Sequence, residues 1–152
     1  MQDVHQAVQA LGAAIGMEGV AFDGAGNLTL IFDGAMAINF HAIEAGSFEL
    51  WADLPDLGNT RDAELLASVL AANHLGEGTG AARLALRPDR SGFVLCQRVG
   101  IAGADTSALV ETVAAFVASA SAWNARDAGR AFAGRDAAAT EPGEPGFSMI
   151  RV

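Results

Sequence analysis

The sequence contains one cysteine, three histidines and no lysine, and each shortage removes a class of function. A single cysteine, Cys96, cannot form an intramolecular disulfide, which favours a reducing compartment. His5, His41 and His74 are too far apart in the sequence to give the spacing of metal ligands. The absence of lysine removes the residue with which a P-loop holds nucleotide phosphates. The sequence therefore predicts neither a metal site nor a bound cofactor.

Basic charge is also scarce. Nine arginines stand against 18 acidic residues, and the net charge is −9. Nucleic-acid binding needs concentrated basic charge that displaces phosphate counterions, so nucleic acid is not expected as a partner. An acidic surface favours solubility and faster encounter with basic partners.

Long apolar runs are missing too. Residues 107–123, the longest helix-like segment, are interrupted by Glu111, Thr112 and two serines, and are not expected to supply the about 20 predominantly apolar residues of a membrane span. The N-terminus has no basic segment before an apolar run, so it does not resemble a secretory signal. We expect a soluble cytoplasmic protein with no membrane partner.

The apolar residues that are present change their spacing along the chain. Helical spacing at the N-terminus gives way to alternation in residues 28–32, 36–40 and 48–54, and these three runs predict an antiparallel meander. A second helix follows, then a hairpin of strands at about 81–86 and 92–99, then a last helix. The predicted fold class is α+β, with the order α-β-β-β-α-β-β-α and an antiparallel sheet flanked by helices. The stripes expected on the first and last helices are Val4, Val8, Leu11 and Ile15, and Leu109, Val113, Phe116, Ala120 and Trp123, with Val110 and Val117 beside the latter.

Boundary residues fix the helix ends more closely. Asn59 or Thr60 is expected to cap the second helix, and Asp105 or Thr106 the third. Gly76 is placed to end the second helix in a left-handed conformation. On the third strand Trp51 alternates with the apolar residues, so we expect it on the other face, partly exposed.

Two regions differ in composition. Residues 1–125 hold all the predicted elements and form the expected domain. Residues 126–152 are rich in Ala, Gly and Pro and have too few apolar residues for a core of their own, so we expect a mobile or weakly docked tail. Four arginines balance four acidic residues there, which places the whole net charge of −9 in residues 1–125.

Candidate catalytic features have simpler structural interpretations. The glycine-rich residues 76–80 follow a helix and open a strand, the reverse of a dinucleotide-binding loop. Cys96 lies in an apolar strand without a neighbouring base, which is typical of a small core or interface residue. No catalytic residue is predicted. Instead, the apolar faces exceed what one small domain hides comfortably, which favours self-association or the binding of an extended peptide.

The helix of residues 65–73, the loop of residues 76–80, the hairpin that closes on Cys96 and the alanine-rich last helix occur in an order that resembles the type III secretion effector chaperones of the Tir chaperone (CesT) family. The resemblance covers roughly residues 2–125. It implies a homodimer without enzymatic activity in the bacterial cytoplasm. It also implies that the dimer binds the N-terminal segment of a secreted effector, keeps that segment extended and delivers it to the secretion ATPase.

Site residues follow from the same resemblance. The first helix and the sheet are implied to meet the effector, and the second helix with the neighbouring strand is implied to form the dimer contact. The effector-binding residues are then Leu11, Ile15, Leu28, Leu30, Phe32 and Ile38. The dimer residues are Leu66, Val69, Leu70, Leu84 and Leu86.

Two alternatives stay open from the sequence. The domain could be a bacterial regulatory or scaffold module of related fold that acts outside secretion. It could also be a small enzyme whose site is assembled from distant residues, in which case a defined pocket with a perturbed acid or histidine is expected. The sequence identifies neither the effector nor the trigger for its release.

Overall fold

The computed structural model describes residues 3–44 and 46–125, in which three α-helices and five strands follow the predicted order. The predicted tail of residues 126–152 lies outside the described residues. The elements are α1 (Val4–Ala14), β1 (Asn27–Phe32), β2 (Met36–Glu44), β3 (Ser47–Leu54), α2 (Ala63–Ala72), β4 (Arg83–Leu86), β5 (Phe93–Gly100) and α3 (Thr106–Asn124), with a short 3₁₀ turn at His74–Gly76.

The strands form one antiparallel sheet in the order β1-β2-β3-β5-β4. The register aligns Leu30 with Ile38 and Ala52 with Leu95, so alternate residues of neighbouring strands share a face. This face is apolar and forms the core with α1 and α3, whose predicted stripes are buried apart from the half-buried Ile15. α2 adds Val69 and Ala72 to the same core.

The residues around the α2 N-terminus differ from the expected cap. Asp62 caps the helix, because its Oδ1 accepts hydrogen bonds from the backbone N–H of Glu64 and Leu65 at 3.0 and 3.3 Å. The two predicted residues have other partners. Asn59 Oδ1 accepts from the N–H of Arg61, and Thr60 donates to the carbonyl of Arg90 in the β4–β5 turn.

The C-terminal end of α2 also differs from the prediction. The helix ends at Ala72 rather than at Gly76, and Gly76 (φ 73°) ends the 3₁₀ turn instead. Leu75 precedes it with φ 51°, a left-handed conformation that is rare for a bulky side chain. At α3 the predicted cap is confirmed, since Asp105 accepts from the N–H of Ala108 at 2.8 Å.

α3 is more apolar than the sequence analysis expected. Among the described residues it is the one helix that is long and apolar enough to cross a membrane, with 19 residues and a mean hydropathy of 1.2. The core helix of a soluble protein can have the same length and hydropathy, and 28% of this apolar window is buried. Its buried residues are Leu109, Val113, Phe116, Ala120 and Trp123, all of which belong to the core.

Candidate peptide-binding surface

An apolar groove runs between α1 and α3 at the end of the sheet that β1 forms. It has a volume of ≈ 470 Å³, and we call it the α1–α3 groove. Its main apolar residues are Leu11, Ile15, Phe32, Val110, Val113 and Val117.

The groove exists because α1 and α3 pack side by side on the sheet without closing over its edge. Leu11 and Val113 are buried and belong to the core, whereas Ile15, Val110 and Val117 are half-buried around them. Burying an apolar side chain that is left half-exposed is favourable by about 25 cal/mol per Å² of surface removed from water. An apolar partner segment therefore has a favourable place to bind.

A second depression continues the groove toward the C-terminal end of α3. It has a volume of ≈ 350 Å³ and shares Phe32, Asp33 and Ser121 with the α1–α3 groove. It also reaches Asn124, the last residue of α3, whose side-chain oxygen accepts from the N–H of Asp56 at 3.1 Å. The two depressions together form one continuous path along the helix.

The edge of β1 lies beside this path and offers backbone hydrogen bonds. The N–H and C=O of Asn27 both point away from β2 and pair with Asp23 at 2.8 Å. Because this orientation repeats every second residue in an antiparallel strand, the N–H and C=O of Thr29 and Ile31 point outward as well. Both residues are exposed, and the Ile31 side chain is 55% exposed. An extended peptide can add to the sheet at this edge.

The opposite edge of the sheet is covered. The side-chain amide of Asn73 acts there as a substitute for a neighbouring strand. It donates to the carbonyl of Leu84 at 2.9 Å and accepts from the N–H of Leu84 at 2.8 Å. The two edges therefore differ, and the exposed apolar groove lies next to the open one.

The structure divides the predicted effector-binding residues into two groups. Leu11, Leu30 and Ile38 are core residues, at most 4% exposed, so in this protomer they pack inside the domain, and their contact with a partner stays a prediction. Ile15, Leu28 and Phe32 are half-buried and remain available at the surface. Core and groove residues have the same composition, so the sequence could not separate them.

Val110 and Val117 are groove residues that the site prediction missed. The sequence held a signal for them, since both lie beside the buried α3 stripe in its helical spacing.

The predicted dimer residues are divided in a similar way. Val69 and Leu84 are buried within the protomer, and Leu66 and Leu86 are half-buried. Leu70 is 70% exposed and lies on the outer side of α2. Leu75, which the prediction did not include, is 88% exposed. We call Leu70 and Leu75 the α2 leucine pair.

The sheet face opposite the core carries most of the charge pairs. Cross-strand ion pairs join Arg83 to Glu49 and Arg87 to Asp53. The Arg87 guanidinium also lies 5.4 Å from the ring centre of Trp51, which is half-buried on this face as expected. The hydrogen bond from Arg87 to Asp53 raises the pKa of the arginine. In these ion pairs each charged side chain has a partner of opposite charge, and together they form a polar surface.

Features associated with catalysis are few. Burial raises the pKa of the Cys96 thiol, which disfavours the nucleophilic thiolate. His41 pairs with Asn27 through Nδ1 at 2.8 Å. Within the described part of the chain there is no cluster of three or more His, Cys, Asp or Glu side chains that could hold a metal.

Comparison with known proteins identifies the family. The model of the Tir chaperone protein (CesT) family matches residues 6–124, which is most of the chain. The chain belongs to the Tir chaperone (CesT) family. Its members are chaperones. No curated protein sequence matches this CesT-family chain.

Solved structures share the CesT-family fold at low sequence identity. The type III secretion chaperone SycH of Yersinia pestis, solved with a stable fragment of YscM2, is 17% identical with a TM-score of 0.61 over 76% of this chain and 95% of that one. A chain of the HopA1–SchA chaperone–effector complex is 15% identical, with a TM-score of 0.66 over 78% and 91%. A chain of the ExoU–SpcU complex of the Pseudomonas aeruginosa type III secretion system is 14% identical, with a TM-score of 0.59 over 77% and 93%.

Proposed function

We propose that this CesT-family protein is a type III secretion chaperone in the bacterial cytoplasm, which binds the N-terminal segment of a secreted effector and keeps it extended. We call that segment the client segment. The observation that carries the proposal is the family match over residues 6–124, on a fold shared with solved chaperone–effector complexes. The secretion ATPase is the expected recipient of the complex.

The proposed mechanism is binding without turnover. The open edge of β1 pairs with the client backbone through Thr29 and Ile31, and apolar client side chains enter the α1–α3 groove against Ile15 and Val117. Backbone pairing recognises an extended chain, and the groove selects the apolar side chains. A segment held in this way is kept from folding and from aggregating until it is released.

We further propose that the protein is a homodimer in which the α2 leucine pair of each protomer is covered by the other. Leu75 is 88% exposed and has a φ of 51°. Its apolar side chain therefore stays in contact with water, and its backbone conformation is strained. A second copy that removes Leu75 and Leu70 from water offsets the free-energy cost of both. Two protomers then present two α1–α3 grooves to one client segment.

The test uses the client candidates that are encoded beside the gene. Each is co-expressed with the chaperone, and the complex is digested with protease and analysed by mass spectrometry. Protection of only the N-terminal region of one candidate is expected. Protection of a folded domain, or of no region in any candidate, contradicts the proposed function.

Site variants connect this test to the groove. Ile15→Asp places a charge in the groove at a position that is only half-buried. It is expected to weaken client binding at least tenfold, because the free-energy cost of burying the charge exceeds the gain from one apolar contact. Met17→Asp is the matched control, since Met17 lies two residues further along the chain, lines a different depression and is 38% exposed. If the two folded variants bind the client equally, the groove is not part of the client-binding site. Leu30→Asp is unsuitable here, because Leu30 is in the core.

A further inference from the structure

The segment after α3 differs in charge and composition from the domain that precedes it. Residues 126–152 are electrically neutral, and their large apolar side chains are Phe132 and a terminal cluster of Phe147, Met149, Ile150 and Val152. The cluster follows a Pro- and Gly-rich linker, residues 141–146, and contains one basic residue, Arg151. Residues 147–152 thus form an apolar stretch whose chemistry matches that of the α1–α3 groove.

The position where this segment starts favours the same groove. α3 ends at Asn124, which lines the depression that joins the α1–α3 groove through Phe32, Asp33 and Ser121. A chain that leaves α3 therefore starts at one end of the continuous path. Asp33, at the junction, supplies a negative charge that complements Arg151.

The length of the segment fits the distance. Phe147 follows Ala125 by 22 residues, and the random-coil relation gives a root-mean-square span of about 25 Å for that number of residues. From Asn124 back to Val110 along α3 the axial distance is about 21 Å. Because this linker length matches the span, the effective concentration of the terminal cluster at the groove is about 1 mM, far above that of a second molecule in dilute solution.

We propose that residues 147–152 bind in the α1–α3 groove of their own chain and compete there with the client segment. The docking needs no client and can be tested alone, whereas the competition rests on the proposed function. With an effective concentration of about 1 mM, a terminal peptide whose own Kd is about 0.1 mM weakens client binding about tenfold. A client that also pairs with the β1 edge displaces it.

Disulfide trapping in the full chain tests the docking. In a Cys96→Ala background, Ser148→Cys is combined with Ala114→Cys, which lines the groove. The matched control combines Ser148→Cys with Ala115→Cys, the next residue of α3, which is also exposed but lines a different depression beside the glycine-rich loop. At low micromolar concentration in a glutathione buffer, the intrachain disulfide is expected to form at least about ten times more readily with Ala114→Cys.

Three results would overturn the docking. One is equal trapping at the two positions, which indicates a segment that samples the surface at random. Another is trapping only between chains. The third is a preference that persists when Phe147→Asp and Ile150→Asp are added, because the apolar cluster would then not drive it.

A separate measurement tests the competition. The full chain with Phe147→Asp and Ile150→Asp is expected to bind the client segment about tenfold more tightly than the native chain. Ala138→Asp, in the alanine run of the same segment, is the control and is expected to leave affinity unchanged. Unchanged affinity in the double variant overturns the competition. If no candidate client binds the protein, the proposed function is contradicted, but the docking measured by disulfide trapping is not affected.

Discussion

At the scale of single residues, close packing makes a few positions intolerant of small changes. Gly12, in the middle of α1, shows this most clearly. A Cβ added there would lie 2.6 Å from both Cβ and Cγ2 of Val20 and 3.0 Å from the carbonyl oxygen of Met17. The N–H of Met17 in turn donates to the carbonyl of Gly12 at 2.8 Å, so the chain after α1 is held tightly against the helix. Glycine is present at this position because the backbone approaches so closely.

Gly12→Ala is expected to lower the free energy of unfolding by about 1–3 kcal/mol, because the added methyl group displaces Val20 from the core. Urea denaturation measures the difference. Gly24→Ala is the matched control, since no atom lies within 4 Å of its added Cβ, and it is expected to stay within about 0.5 kcal/mol of the native protein. A fully stable Gly12→Ala variant would mean that α1 and the following segment pack less closely.

Cys96 gives a second prediction at this scale. Burial raises the pKa of its thiol above the ordinary value, so the reactive thiolate is scarcer in the native protein than in the unfolded chain at the same pH. Alkylation by iodoacetamide at pH 8 is expected to be several-fold slower in the native protein, and to keep rising with pH beyond the ordinary pKa of cysteine. Mass spectrometry follows the reaction, and the same protein in urea is the reference. Equal rates in the two states would contradict the half-buried position.

At the scale of elements, the two edges of the sheet are treated differently. Asn73 covers β4 with its side chain, whereas the outward groups of Thr29 and Ile31 on β1 stay open. Exposed edges invite pairing with other chains, so a natural protein keeps one open where pairing is useful. This asymmetry supports β1 as the edge to which we propose that an extended partner adds.

Asn73→Ala is expected to lower the free energy of unfolding by about 2–4 kcal/mol, because it leaves the N–H and C=O of the buried Leu84 without partners. Asn59→Ala is the control. The Asn59 side chain accepts one exposed hydrogen bond from Arg61, so its loss is expected to cost under about 1 kcal/mol. Similar losses in urea denaturation for both variants would show that the Asn73 pairing contributes little.

At the scale of the whole molecule, the protomer leaves surfaces of different chemistry uncovered. The outer side of α2 carries exposed leucines, the α1–α3 groove is apolar, and the far face of the sheet is ordered by ion pairs such as Arg83 with Glu49. Each suits a different partner. The exposed leucines, at 70% and 88%, are the surface that we propose a second copy covers, and the groove beside an open edge is the one that we propose takes an extended chain.

The proposed dimer predicts a thermal midpoint that rises with protein concentration, because mass action stabilises an associated native state. Leu70→Asp with Leu75→Asp is expected to give a monomer in light scattering and a midpoint that no longer depends on concentration. Ile15→Asp, at the groove, is the reciprocal control and is expected to remain a dimer. A concentration-dependent dimer that survives the double leucine variant would place the interface elsewhere.

Much of the fold followed from periodicity. The order of helices and strands, the buried stripe from Leu109 to Trp123 and the half-exposed Trp51 were confirmed, because spacing reports which face an element buries. The prediction of the N-terminal cap of α2 was wrong. Asp62, Asn59 and Thr60 are all good capping residues, and only Asp62 is used, while Asn59 accepts from Arg61 and Thr60 donates to the distant Arg90.

Sequence by itself determined which residues avoid water, since hydrophobicity and spacing are local properties. It determined the α+β order, the acidity of residues 1–125 and the resemblance to the CesT family, which the family match confirmed. Only the tertiary structure decided which apolar residues are core and which are surface. Leu11 in α1 and Ile15 at its C-cap lie one turn apart and both line the groove, yet Leu11 is buried and Ile15 is half-buried, because burial depends on what the neighbouring elements cover.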